Sequence, residues 1–156
     1  MQNMPVEQII YNNQLFTFFQ SEVEKYPFLE TGGVLLGFLK NKTIFIEKAS
    51  GPGKVALHEP YYFRADPNYV SMFIDMEIAN SQCKLRYLGE WHSHLQIEPD
   101  PSTIDLASLS EIAESSSDFC LMLVLGAVEF NAKAFYRQSI SVIKFKGIDE
   151  FYIYPQ

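Results

Sequence analysis

The sequence predicts an α/β domain, a mixed β-sheet flanked by helices, and three observations predict it. Phe119 to Gly126 reads FCLMLVLG, a continuously apolar run of the kind that forms a strand buried on both faces. Segments with helical spacing of apolar residues alternate along the chain with strand-like runs, the pattern of an α/β fold. Some neighbouring strand segments are joined by turns too short for a crossover, so antiparallel pairs must share the sheet with parallel ones.

The elements follow in order. Ile9, Ile10, Leu15, Phe16, Phe19 and Val23 recur at roughly helical spacing, which predicts a first helix from Ile9 to about Tyr26, with Pro27 ending it. In ETGGVLLGFL a glycine pair opens an apolar run to Leu39, and Asn41 and Lys42 turn the chain into TIFIE, its hairpin partner. The segment GPGKVALHEP reads as loop, and Phe63 as the end of a short strand. Asp66 is then an N-cap with Pro67 in the first helical position, opening a second helix to about Gln82. Leu85 to His94 reads as a strand, followed by a proline-interrupted loop and a third helix from Ser102 to about Glu114. After FCLMLVLG, AKAFYR and SISVIKF are further strands, the second with the cleaner alternation. No internal repeat, low-complexity tract or linker interrupts residues 1–156, so a single domain is expected.

Composition narrows the function. The 156 residues are 47% hydrophobic and 20% charged, the balance of a globular protein with a sizeable core. Twelve lysines and arginines against 19 aspartates and glutamates give a net charge of −7, which argues against a nucleic-acid partner, because backbone binding needs a basic surface. The start, MQNMPVEQII, lacks the basic and apolar regions of a secretory signal. Apolar stretches fall short of a membrane span, the longest running from Phe119 to Val128. A cytoplasmic protein without a membrane partner is therefore expected, with Cys83 and Cys120 as free, buried thiols in a reducing compartment.

Chemistry concentrates in GEWHSHLQIEPDPSTID, residues 89–105. Side chains alternate across a strand, so His92 and His94 project to one face and are placed to bind one cation together. A catalytic zinc takes three protein ligands and leaves the fourth position to water. Asp105, in the first turn of the third helix, is placed to complete a two-histidine, one-carboxylate set. Such a mixed set suits tetrahedral zinc better than calcium or magnesium, which prefer all-oxygen shells. Ser102-Thr103-Ile104-Asp105 also fits a helix capping box, with Ser102 as N-cap, and that reading stands beside the metal one. Glu90, nominally on the same face as His92, is the carboxylate that local spacing favours as a general base.

Taken together, these residues carry a resemblance. Glu30 ahead of Gly32-Gly33, then His92-Ser93-His94, seven residues, Ser102, two residues and Asp105 resemble the JAMM motif of the JAB/MPN/Mov34 metalloproteases. The similarity runs from the ETGGVLLG strand through SISVIKF. It implies the MPN fold, which is cytidine-deaminase-like, and a single Zn2+ held by His92, His94 and Asp105. It further implies Glu30 as the general acid/base, moving that role away from Glu90, and Ser102 as the hydroxyl that stabilises the oxyanion. Leu95 stands where the family has proline, a change in the loop rather than in the ligand set. The insertions that shape substrate binding in larger eukaryotic deubiquitinases are short or absent.

GPGKVALHEPYYFRAD and YLGEWHSH resemble small stand-alone bacterial members encoded with ubiquitin-like conjugation genes, some of them deconjugating peptidases of CBASS antiphage operons. The resemblance thus implies an isopeptidase or peptidase acting at the C-terminus of a ubiquitin-like protein or its conjugate, with E1- and E2-like enzymes encoded nearby. The alternatives are a peptidase that releases an amino acid from a sulfur-carrier protein, and a non-catalytic MPN scaffold.

One charge pattern accompanies the motif. Glu90, Glu98, Asp100, Asp105, Glu111, Glu114 and Asp118 occur between Gly89 and Asp118 with no lysine or arginine among them. This is either a solvated face or a negative rim that attracts a basic C-terminal tail. If it is a steering rim, kcat/KM on a basic-tailed substrate falls as salt is raised; a flat salt profile returns the stretch to a solvated face.

Overall fold

A computed structural model describes residues 8–11, 13–95, 107, 121–126, 132–136, 141–145 and 150–155. Its first element is a strand, β1 (Gln8–Tyr11), followed by helix α1 (Asn13–Lys25). The expected first helix thus divides in two, because Ile9 and Tyr11 alternate with half-exposed neighbours and point into the core. That placement is fixed by parallel pairing with β3 (Thr43–Ala49), in register from Gln8 opposite Thr43 to Tyr11 opposite Ile46. The β-branched pair Ile9-Ile10 suits a strand. Leu15 and Phe19 are the buried apolar positions of α1, and Phe19 meets the Trp91 ring edge-on at 4.8 Å.

Strand β2 (Gly32–Lys40) runs antiparallel to β3 through the expected turn, where Asn41 takes a left-handed conformation that asparagine tolerates. The segment read as loop contains β4 (Leu57–Glu59), which forms a hairpin with β5 (Tyr62–Arg64) outside the main sheet. β5 takes in Phe63, the expected end of a short strand, whereas β4 has only three residues and no fully buried side chain to mark it in the sequence. Helix α2 (Pro67–Asn80) starts as predicted: the Asp66 carboxylate accepts from the Asn68 and Tyr69 N–H groups at 3.1 and 3.3 Å. It ends at Asn80, short of the expected Gln82, because Gln82 and Cys83 are both left-handed and turn the chain away. Cys83 is exposed there, not buried, its neighbours Gln82 and Lys84 being polar; Cys120 lies outside the described residues.

Strand β6 (Arg86–Ser93) lies between β2, antiparallel, and β7 (Leu121–Leu125), parallel. Every residue of β7 is buried, as its unbroken apolar sequence requires. β8 (Ala132–Tyr136) and β9 (Ser141–Phe145) continue antiparallel, followed by β10 (Glu150–Pro155), a strand not among those expected. The sheet order is β1-β10-β9-β8-β7-β6-β2-β3, and pairing of β1 with β3 closes it into a barrel. The result is a mixed, curled sheet with helices, as the α/β assignment predicted. The third helix falls outside the described residues apart from Ala107, which is helical. No helix among the described residues is long and apolar enough to cross a membrane.

At Gly89 the two central strands meet closely. Its φ is +148°, and a Cβ there would lie 1.8 Å from the Leu121 carbonyl oxygen. Gly89→Ala must therefore strain the backbone and push β6 off β7. The expected loss of stability is roughly 1–3 kcal/mol, read as a lower urea midpoint; a midpoint unchanged from wild type contradicts this packing.

Candidate active site

The β2–β6 pairing brings the distant motif residues together. Gly32 stands opposite His92, so the residues just before β2 reach the end of β6. Ser93 sits between the two histidines on the opposite face, buried, and ties the strands at this point. Its N–H donates to the Thr31 carbonyl at 2.8 Å, and its hydroxyl accepts from the Thr31 N–H at 3.0 Å. His94 lies one residue beyond β6 but is held as if still in the sheet, its N–H donating to the Leu125 carbonyl at 2.8 Å.

On the other face, His92 and His94 are buried, with only 8% and 6% of their surfaces exposed. Their Nε2 atoms are 3.0 Å apart. The carboxylate of Glu30, itself 5% exposed, has Oε1 3.6 Å from Nε2 of His94. The two Nε2 atoms lie within hydrogen-bond distance of each other beside a buried carboxylate, and imidazole nitrogens are donors of the kind that a borderline divalent cation such as zinc takes. Among the described residues no three His, Cys, Asp or Glu side chains form a cluster able to hold a metal ion. The third expected ligand, Asp105, and the expected oxyanion hydroxyl, Ser102, both lie outside those residues.

Glu90 is placed differently. It pairs with Val34 on one side and Met122 on the other, in the middle of the sheet. Burial pushes its carboxyl above the usual carboxylate range. Among the described residues no hydrogen bond or ion pair joins it to either histidine, whereas Glu30 is in contact with His94. Of the two candidate bases the geometry gathers Glu30, which neither spacing nor periodicity could show.

The tie that Ser93 makes to Thr31 and the place of His58 do not follow from the motif. Ser93 was detectable in principle: a hydroxyl on the buried face of a strand must find a partner. His58, in the β4–β5 hairpin, carried no such signal; its Nδ1 lies 2.9 Å from the Glu30 carbonyl oxygen.

A curled mixed sheet whose central strand ends in His-Ser-His, facing a glutamate ahead of the neighbouring strand, defines a JAB-type domain. The family described as prokaryotic homologs of the JAB domain matches residues 14–139, and the chain belongs to that family. It is 30% identical over 89 residues to a Pseudomonas aeruginosa protein named CD-NTase/cGAS isopeptidase, covering 57% of this chain and 56% of that one. An Enterobacter hormaechei protein of the same name is 30% identical over 112 residues, covering 68% of this chain and 60% of that one. The chain thus matches little more than half the length of these curated relatives. The solution structure of a Desulfitobacterium hafniense protein superposes with a TM-score of 0.59 at 16% identity, covering 94% of this chain and 90% of that one, which shows the fold.

Removing the Ser93 hydroxyl leaves the Thr31 N–H without its partner at a buried position. Ser93→Ala is expected to cost about 1–3 kcal/mol of stability, measured by chemical denaturation. A variant as stable as wild type removes the hydroxyl from this role.

Proposed function

We propose that this protein is a zinc-dependent isopeptidase or peptidase that hydrolyses the bond after the C-terminus of a ubiquitin-like protein or its conjugate, in the setting of antiphage defence. The observation that carries the reading is the convergence of His92, His94 and Glu30 in one buried site from positions 62 residues apart in the chain. Family membership and the isopeptidase names of both curated relatives support it.

His92, His94 and Asp105 would hold the zinc. When bound, zinc lowers the pKa of a coordinated water towards neutrality and polarises the scissile carbonyl. Glu30 accepts the proton of the attacking water and delivers it to the leaving amine nitrogen as the C–N bond breaks. Glu30 is buried beside His94, away from bulk water. The Ser102 hydroxyl donates to the oxyanion that forms on the carbonyl. No covalent enzyme intermediate is required, and a basic C-terminal tail suits the acidic stretch that surrounds the motif.

Incubating the zinc-loaded protein with C-terminally extended ubiquitin-like fusions encoded beside it, with and without chelator, and mapping the cut by mass spectrometry tests the reading directly. Cleavage after the ubiquitin-like C-terminus that chelator abolishes and zinc restores is expected; a protein that binds no zinc and cuts none of the fusions is a scaffold.

Variants then separate the roles. His92→Ala is expected to lose zinc in elemental analysis. Glu30→Gln keeps the metal and loses turnover by roughly 10²–10⁴-fold, the range for a general acid/base. An active Glu30→Gln beside an inactive Glu90→Gln reverses the assignment of the base.

A further inference from the structure

The β4–β5 hairpin holds the backbone of Glu30 from both sides. The Glu30 N–H donates to the Glu59 carbonyl at 2.8 Å. The Glu30 carbonyl faces Nδ1 of His58, the preceding hairpin residue, at 2.9 Å. A carbonyl oxygen can only accept, so Nδ1 of His58 carries a proton and donates it. The ring is itself fixed by aromatic neighbours. It stacks on Tyr26 with centroids 3.9 Å apart and planes 12° from parallel, and it leans on Phe63 at 5.5 Å. Phe63 in turn covers Gly32, where an added Cβ would come within 2.7 Å of its ring. The stack therefore spans the loop ahead of Glu30, the hairpin and the first residue of β2.

From this arrangement we infer that His58 is a positioning residue, which sets the Glu30 carboxylate against His94 by holding the Glu30 carbonyl. The inference rests on Glu30 being the base. His58 acts through the backbone of Glu30, whose N–H and C=O are bound to consecutive hairpin residues. A misplacement of about 1 Å at a reacting group can cost on the order of 10²-fold in rate, so a single well-made bond here matters to turnover.

Substitutions of His58, alone and beside Glu30→Gln, and one measurement on the wild type test it. In the metal-free wild-type protein, long-range 15N–1H NMR of the imidazoles is expected to show a proton on Nδ1 of His58. An unprotonated Nδ1 overturns the proposal before any variant is made. His58→Phe keeps a flat ring between Tyr26 and Phe63 but removes the donor, whereas His58→Asn loses the ring but can present an N–H in its place. On the ubiquitin-like fusion that the wild type cuts, His58→Phe is expected to keep zinc and a near wild-type KM while kcat falls by roughly 10–100-fold. His58→Asn is expected to recover most of that loss. An unchanged kcat in His58→Phe, or an Asn variant as slow as the Phe variant, overturns the proposal. In the Glu30→Gln background, His58→Phe is expected to cost nothing more; a second loss of full size shows that His58 acts elsewhere. Glu30→Gln turning over at the wild-type rate instead defeats the assignment of the base, and the imidazole measurement reads the hydrogen bond independently of it.

Discussion

Ser93 and Thr31 exchange two hydrogen bonds across the β2–β6 junction, and the arrangement of the site depends on that exchange. One residue before Thr31 stands Glu30, and one residue either side of Ser93 stand the two histidines. Because side chains alternate along a strand, fixing Ser93 and Thr31 on one face delivers the functional groups to the other. A slip of one residue in this register would send both imidazoles to the face now occupied by Trp91. Trp91 opposes such a slip: it is fully buried, packed edge-on against Phe19, and its indole N–H donates to the Ser50 carbonyl at 2.9 Å.

The site is also expensive to build. Two imidazoles and a carboxylate have been taken out of water at the end of a central strand, and burial of such groups is unfavourable unless each finds partners. Here they find one another, through contacts of 3.0 and 3.6 Å. The apolar investment lies on the opposite side, where β7 and the inward face of β6 pack with α1. The apolar core and the buried polar cluster thus occupy opposite faces of the same strand.

Much of this was legible in the chain itself. The strand nature of β7, the Asn41 turn and the Asp66 cap follow from local chemistry, and the structure has them where that chemistry places them. The pairing of His92 with His94 on one face follows from strand alternation alone. What local chemistry could not carry is long-range pairing. Ile9 and Ile10 fit a helical spacing that continues into α1, and only the parallel partnership with β3 makes them a strand. The β4–β5 hairpin has too little buried surface to announce itself, yet it holds Glu30. Glu90 illustrates the limit most clearly: spacing sets it on the face of His92, whereas strand pairing brings Glu30, distant in the chain, into contact with His94.

The hairpin stands apart from the closed sheet, and this has a consequence for how the site comes undone. The amide of Glu30 is bound to the hairpin, while the next amide, that of Thr31, is bound to Ser93 inside the sheet. The peptide group between Glu30 and Thr31 is therefore tied on its carbonyl side to the two-stranded hairpin and on its N–H side to the closed sheet. Opening of the hairpin alone would free the Glu30 peptide while the bonds between Thr31 and Ser93 hold the histidine pair in place. The boundary between what opens and what endures runs through a single peptide bond.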